Sequence, residues 1–253
     1  VDTVEIAPGQ QAEISHLPTF FPDRLASLSE VCRASLHIQI DDLDGKLEQE
    51  RTFPIWMLAR TSALLHVPDP TTGLPRDLMP YLAAWVTPSV PAVFALLRQA
   101  ASLSDGAVAS YQVDAAGVQA QVKAIYDALK GAGITYVNSV LCFGAIPGVL
   151  AQRIRLPTES LTQRSANCMD GTVLLASVLE AASLHPALVL IPGHAFLGWE
   201  TSEGSGQWDY LETTLLGSQD FAQAQAEGRA LAAMYEDQAI LHPAMFSRLS
   251  LRA

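Results

Sequence analysis

The sequence predicts an α+β protein with two domains. Three observations support this prediction. Apolar and polar residues alternate over 32–41, which is typical of a half-buried strand. Two later stretches, near 90–103 and 118–129, repeat apolar residues three and four positions apart, as one face of a helix does. A long apolar segment at 169–182 then precedes two strand-like runs that flank a glycine-rich turn.

The first domain is expected over residues 1–80 as a β-rich module, and an immunoglobulin-like sandwich best matches its strand pattern. An Asp-Gly pair at 44–45 is a hairpin turn signal. A hairpin centred there gives a self-consistent register, because the paired residues are all apolar. The pairs are Leu36 with Phe53, Ala34 with Ile55, and Cys32 with Met57. The Pro- and Gly-rich stretch at 61–80 is predicted to be a loop or linker.

The second domain is expected over residues 81–253, and its first elements are two helices that pack by one apolar face each. Gly131 and Gly133 are expected to end the second helix. The predicted faces are Val90, Val93, Phe94, Leu97 and Ala101 for the first helix, and Val118, Val122, Ile125, Tyr126 and Leu129 for the second.

The segment 169–182 predicts a helix at the centre of its domain, since few polar residues interrupt it. Asn167 is a good N-cap residue, and Asp170 completes a capping-box pattern three positions later. Cys168 then occupies the first helical position. The unpaired N–H groups there favour the thiolate and can hold a developing oxyanion. A buried structural cysteine is the alternative interpretation.

The two runs after this helix predict a hairpin that brings a histidine to a carboxylate. If the turn is centred near Glu203, then His194 lies opposite Glu212, and cross-strand neighbours are about 5 Å apart. Asp209 is three residues from Glu212 and faces the other side of the sheet. A register error of one residue would exchange the two acids, so Asp209 is the reserve acid. Cys168, His194 and Glu212 are therefore predicted to form a nucleophile, base and orienter.

Three segments around these residues resemble the transglutaminase-like cysteine proteases, and more narrowly the bacterial transglutaminase-like proteins. They are Arg164-x-x-x-Cys168, Gly193-His-Ala-Phe196, and Tyr210-Leu-Glu-Thr-Thr214. The resemblance implies a papain-like core, in which the cysteine helix packs on an antiparallel sheet, and the same three catalytic residues in the same order. This chain departs from the family's usual pattern at three positions. Ala166 and Ser183 replace glycines, and Glu212 replaces an aspartate.

The run from Gln152 to Pro157 is similar to one that precedes the nucleophile in the resembling bacterial proteins. The resemblance implies that the Gln152 side chain donates a hydrogen bond to the oxyanion beside the Cys168 backbone N–H, with Asn167 in support. A surface glutamine without a catalytic role is the alternative. Cys142, which lies in an apolar Gly- and Pro-punctuated stretch, is interpreted as a buried residue.

The predicted chemistry is acyl transfer from an amide or peptide carbonyl to the Cys168 sulfur. Water as the acceptor gives a peptidase or amidase, which we favour because the bacterial members of the superfamily mostly resemble hydrolases. Two alternatives stay open: a protein-glutamine transglutaminase, and a non-catalytic binding module with the same fold. No cofactor is expected. A metal held by Cys168 and His194 lacks further ligands at suitable spacing.

Composition restricts the partners. The net charge of −11 argues against binding to nucleic acid or to an anionic membrane, so a protein or peptide substrate is expected. Hydrophobic residues make up 49% of the chain and charged residues 16%, which is a globular composition. Three widely spaced cysteines predict neither a disulfide framework nor a zinc site, and a cytoplasmic location follows. Docking of a partner chain on the N-terminal module is left open.

Overall fold

A computed structural model describes most of the chain: residues 3–14, 16, 18–104, 110–138 and 149–251. The chain divides into two compact units, Val1–Thr61 and Ser62–Ala253. Helices and antiparallel sheets occur together, so the predicted α+β class is confirmed. None of the helices in the described ranges combines the length and the apolarity that a membrane crossing requires.

The smaller unit contains a short helix, α1 (Pro22–Ala26), and one antiparallel hairpin made of β1 (Cys32–Asp41) and β2 (Leu47–Met57). The predicted register is confirmed, since Leu36 pairs with Phe53 and Cys32 pairs with Met57. Within the described residues of this unit the hairpin is the whole sheet, so the expected immunoglobulin-like sandwich is corrected to two strands. The alternation of apolar and polar residues predicts a strand pair, but it does not predict how many further strands join the sheet.

The stretch predicted as a linker belongs to the larger unit and is largely folded, which is a second correction. It contains β3 (Ser62–Pro68) and β4 (Pro75–Asp77), and a 3₁₀ helix (Met79–Trp85) follows. Strand β3 pairs antiparallel with β4 and with the distant β6 (Leu150–Arg153). Two of the prolines that suggested a loop, Pro68 and Pro75, stand at strand ends, where a missing N–H costs little. The unit boundary therefore lies at 61/62 and not at 80/81.

Two helices, α2 (Pro91–Leu103) and α3 (Ala115–Gly131), follow as predicted and pack against each other. All five residues of the predicted α3 face are buried, so that face is confirmed. The predicted α2 face is wrong in part. Leu96 is buried, whereas Phe94 is 43% exposed. Asp114 caps α3 by accepting a hydrogen bond from the Gly117 N–H.

The centre of the larger unit is α5 (Cys168–Ala181), whose residues from Met169 to Leu179 are all buried. It packs on a four-stranded antiparallel sheet made of β8 (Pro186–Ile191), β9 (His194–Glu200), β10 (Trp208–Leu211) and β11 (Ser247–Ser250). The strand order in this sheet is β10-β9-β8-β11, and the helix contacts β8 and β9. The helix therefore buries nearly all of its surface, which explains why its sequence is apolar on every face.

The approach to α5 runs through α4 (Pro157–Gln163) and the two-residue strand β7 (Ser165–Ala166). Strand β7 pairs in parallel with β5 (Thr135–Tyr136), and the Arg164 carbonyl oxygen between them accepts from the Thr135 N–H at 3.1 Å. Beyond α5, Ser183 has a φ of 58°. That left-handed conformation favours glycine, which is the residue that the resembling family often has there.

The last long helix, α6 (Phe221–Ala239), packs along β10, and a short 3₁₀ helix (Pro243–Met245) leads from it to β11. Gly228 does not interrupt α6. A Cβ atom at this position would lie 2.6 Å from the Leu211 backbone nitrogen, so only glycine allows the helix and the strand to approach this closely.

Gly228→Ala is expected to lower the free energy of unfolding by about 1–3 kcal/mol, because the added methyl group forces α6 away from β10. An exposed helical glycine would instead gain stability on this change. Urea unfolding followed by circular dichroism measures the difference. Ala226→Ser, on the exposed side of α6, is the control and is expected to change stability by less than about 0.5 kcal/mol.

Candidate active site

The predicted nucleophile, Cys168, is the first residue of α5, as the capping pattern predicted. The Asn167 side chain accepts from the Asp170 N–H at 2.9 Å, and an Asp170 oxygen accepts from the Asn167 N–H at 3.2 Å. Both halves of the capping box are therefore present. The sulfur is thereby held beside the free N–H groups and the positive end of a helix that is buried along its length.

A buried ion pair supports the same helical turn. The Asp170 carboxylate has no solvent exposure, and it accepts from the Arg155 backbone N–H at 2.7 Å and from the Arg155 guanidinium at 2.9 Å. Burial raises the pKa of Asp170, and the two Arg155 contacts and the Asn167 N–H oppose that rise. The segment after β6 is thus tied to the first turn of α5, beside the candidate nucleophile.

The predicted base and the predicted acid meet. The His194 Nε2 atom lies 2.6 Å from Glu212 Oε2, and their side chains are only 26% and 4% exposed. His194 is the first residue of β9, directly after a turn at Gly193, which has a φ of 74°. Glu212 directly follows the last residue of β10. The close contact joins two groups that are largely withdrawn from solvent.

The hairpin register behind this contact differs from the predicted one by two residues. Trp208 pairs with Glu200 and Leu211 with Leu197, so extending the ladder would set Glu212 opposite Phe196 and not opposite His194. A shift of two residues keeps every side chain on its own face of the sheet, whereas a shift of one would reverse them. Glu212 therefore still reaches His194, as a diagonal neighbour.

The other oxygen of Glu212 is also engaged. Its Oε1 atom accepts from the Thr214 backbone N–H at 2.8 Å and from the Thr214 hydroxyl at 2.7 Å. Burial raises the pKa of Glu212, but the hydrogen bond and charge of His194, together with the Thr214 donors, outweigh it and lower the pKa below its usual value. This carboxylate is therefore ionised at neutral pH.

His194 is also near enough to Cys168 for the sulfur to affect its pKa. Burial lowers the pKa of His194, but the hydrogen bonds to Cys168 and Glu212, and the negative charge of both, raise it to about 10. Because Nε2 faces Glu212, Nδ1 is the ring nitrogen left for Cys168. Glu212 and Cys168 therefore both act on the His194 ring, and both favour its protonated form.

The reserve acid does not take part. The Asp209 carboxylate accepts from the Arg229 guanidinium at 2.7 and 2.6 Å and from the Gln225 amide at 2.9 Å. Both partners lie on α6. The predicted reserve role of Asp209 is therefore corrected: it anchors α6 to the edge strand.

The two residues predicted to support the oxyanion, Gln152 and Asn167, have different surroundings in the structure. Gln152 lies on β6 opposite Ala63, and among the described residues no hydrogen bond joins its amide to Cys168, His194 or Glu212. Its oxyanion role stays a prediction. Asn167 is buried and caps α5, so it acts on the nucleophile by fixing the helix start. Cys142 lies outside the described residues.

Two features of the site were missed in the sequence. Tyr136 pairs with Ala166, two residues before the nucleophile, and is 42% exposed. Burial and the nearby negative charges of Cys168 and Glu212 raise the pKa of Tyr136. Thr213 donates its hydroxyl to the Cys168 carbonyl oxygen at 3.2 Å. No local pattern marks Tyr136, because the β5–β7 pairing is short and joins distant segments.

The arrangement can perform nucleophilic acyl chemistry. In such an arrangement a sulfur can serve as the nucleophile, an imidazolium as the proton donor and a carboxylate as the group that orients the ring. The N–H groups at the start of α5 are available to an oxyanion. Within the described ranges no group of three His, Cys, Asp or Glu residues could hold a metal ion.

No protein-family model matches this chain, and neither does any curated protein. One similar solved structure is that of a putative cysteine protease from Cytophaga hutchinsonii, with 14% sequence identity and a TM-score of 0.31. The similarity covers 74% of this chain and 65% of that one, so the chain spans slightly less than two thirds of that protein's length. A TM-score this low does not define a shared fold, and nothing is transferred from it.

Arg155→Met is expected to lower the free energy of unfolding by about 3 kcal/mol at pH 8, because it leaves the Asp170 carboxylate buried without its cation. The loss should be smaller at pH 5. Without the guanidinium the pKa of Asp170 rises further, so proton binding neutralises the carboxyl as the pH falls.

Urea unfolding at the two pH values measures both effects. Lys123→Met, which removes the cation from the exposed pair with Asp127, is the matched control and should cost less than about 1 kcal/mol. Equal losses for the two variants, or a loss for Arg155→Met that does not depend on pH, would contradict the buried ion pair.

Proposed function

We propose that this chain is a cysteine-dependent acyl-transfer enzyme of the transglutaminase-like type, acting as a peptidase or amidase. Cys168 is the nucleophile, His194 the general acid and base, and Glu212 the orienter. The observation that carries the proposal is the 2.6 Å contact between Glu212 and His194, together with the effect of Cys168, at the start of α5, on the same imidazole. A structural cysteine in a core needs neither an imidazolium nor a buried carboxylate beside it.

In the first half of the reaction, the Cys168 thiolate attacks the carbonyl carbon of the substrate. A C–S bond forms, and the carbonyl electron pair moves onto oxygen, where the Cys168 backbone N–H stabilises it. The C–N bond then breaks while the His194 imidazolium gives its proton to the departing nitrogen. An acyl-thioester and a free amine result, and His194 is neutral.

In the second half, neutral His194 takes a proton from water, and the water oxygen attacks the thioester carbon. The C–S bond breaks, the carboxylic acid leaves, and the thiolate and imidazolium return. Glu212 stays ionised throughout, because His194 and Thr214 hold its pKa low. Its function is to fix the ring orientation and to stabilise the imidazolium.

A protein or peptide is the proposed substrate, and a cytoplasmic location is part of the proposal. The two cysteines that the structure describes, Cys32 and Cys168, are both free thiols, which suits a reducing compartment. Docking of a partner chain on the N-terminal hairpin also stays a proposal.

The first test is the reactivity of the sulfur. Folded Cys168 is expected to react with iodoacetamide at pH 6 about tenfold faster than the same residue in denatured protein, because a cationic His194 and the start of a helix favour the reactive thiolate. The rate should not fall between about pH 7 and 9, since His194 loses its proton only near pH 10. Timed quenching and peptide mass mapping measure it.

His194→Ala is expected to slow this labelling about tenfold at pH 6. His185→Ala is the matched control, because His185 also contacts a glutamate, Glu200, at 3.1 Å. It should leave the Cys168 rate unchanged. If folded Cys168 reacts no faster than the denatured residue, the enzyme proposal fails and the binding-module alternative is favoured.

A second test addresses the acceptor. Incubation of a proteome-derived peptide mixture with wild-type protein is expected to produce new peptide N-termini, which are absent with Cys168→Ser. Adding methylamine distinguishes the alternatives by mass spectrometry. Its incorporation at glutamine residues, without new termini, would replace hydrolysis by amine transfer. If neither product forms, both enzymatic proposals are contradicted.

A further inference from the structure

We propose that Thr214 is a positioning residue that keeps one oxygen of the Glu212 carboxylate aimed at His194. The proposal rests on the proposed function of Cys168, His194 and Glu212, and it adds a fourth side chain to that site. It also concerns the position at which this chain has a glutamate where the resembling family usually has an aspartate.

A glutamate needs such a partner because of its length. Its side chain has one more rotatable bond than aspartate, so an unrestrained carboxylate can turn either oxygen, or neither, toward the imidazole. The two oxygens of Glu212 have separate partners instead. Oε2 is 2.6 Å from His194 Nε2, and Oε1 accepts from the Thr214 hydroxyl at 2.7 Å and the Thr214 N–H at 2.8 Å.

The geometry of Thr214 follows from the local backbone. Glu212 is the N-cap residue of a one-turn 3₁₀ helix, Thr213–Leu215, and Thr214 is the second residue of that turn. Its N–H therefore points back toward the cap. Threonine is branched at Cβ, which restricts its side-chain rotamers and pre-orients the hydroxyl toward the same oxygen. One residue thus supplies two donors from one direction.

The backbone of Glu212 is anchored separately. Its N–H donates to the Ala224 carbonyl oxygen of α6 at 2.9 Å, next to the close approach of α6 and β10 at Gly228. On the other side, Thr213 donates its hydroxyl to the Cys168 carbonyl oxygen. Because the main chain is held by two helices, the remaining freedom lies in the Glu212 side chain, and the Thr214 hydroxyl removes it.

The charged and titratable groups around Glu212 come from several elements. His194 contacts it from β9, and its charge also reaches Tyr136 on β5 and Tyr126 on α3. The nearby Arg229 of α6 is occupied by Asp209. His194 is the cation among these neighbours, so the Thr214 hydroxyl is the neutral donor whose removal changes the aim of the carboxylate without changing any charge.

Three variants separate the hydroxyl from general packing. Thr214→Val keeps the shape and the backbone N–H but removes the hydroxyl, and Thr214→Ser restores the donor. Thr72→Val is the matched control. Thr72 also donates its hydroxyl, at 3.0 Å, and its N–H, at 2.8 Å, to one carboxylate oxygen, that of Asp69, in an exposed turn without a histidine. Wild-type protein and the variants are labelled at Cys168 with iodoacetamide from pH 4 to 9.

Thr214→Val is expected to slow labelling of Cys168 at pH 6 by about threefold to tenfold, because the imidazolium loses its fixed counter-charge. The acid limb of the profile should move to higher pH by about one unit, since a carboxylate that loses a donor binds a proton more readily. Thr214→Ser should return both values to within about twofold of wild type, and Thr72→Val should match wild type.

An unchanged rate and acid limb in Thr214→Val, with only a lower melting temperature, would show a merely structural role and overturn the proposal. Equal losses in Thr214→Val and Thr214→Ser would overturn it too, because the hydroxyl would not be the active group. Failure of the proposed function would give a different result. The labelling rate of wild-type Cys168 would then be no higher than that of the denatured residue, and this result would contradict both proposals.

Discussion

The buried start of α5 is the constraint on which the rest of the site depends. A carboxylate without solvent exposure is tolerated only with a cation and several donors beside it, and Asp170 has the Arg155 guanidinium and two backbone N–H groups. These contacts tie the segment after β6 to the first turn of the central helix. The helix therefore starts at a defined place, with Cys168 as its first residue. The sheet that packs on α5 can then bring a histidine to the sulfur reproducibly.

The acid of the candidate site is selected by two properties, its face of the sheet and its pairing. Glu212 lies on the same face of the sheet as His194, because extending the ladder sets Glu212 opposite Phe196, which is two residues from His194 on β9. Asp209 is close in sequence and also buried, but its charge is neutralised by Arg229 of α6. The same helix anchors the Glu212 backbone through Ala224. Helix α6 is visible in the sequence only as an Ala-rich closing element. Its side chains engage the Asp209 carboxylate, whereas the Glu212 carboxylate is left to contact His194.

Local chemistry made several features predictable. The N-cap at Asn167 and the buried face of α3 depend on residues a few positions apart, and the pairing of Leu36 with Phe53 depends on one local turn between adjacent strands, so the sequence pattern contains the relevant information. The linker prediction for 61–80 failed for the opposite reason. Strand β3 is completed by β6, nearly ninety residues later, and prolines at strand ends resemble loop prolines when that partner is not known.

What the sequence by itself determined is the start of α5 at Cys168 and a hairpin that brings His194 close to a carboxylate, because capping and strand periodicity are short-range effects. Only the tertiary structure decided which carboxylate is paired with Arg229 and which faces His194, why Gly228 is needed, and that Tyr136 pairs with Ala166, two residues before Cys168. Each of these depends on contacts between segments far apart in the chain. Such contacts leave no periodic signal, since the spacing between the partners is set by the packing of whole elements.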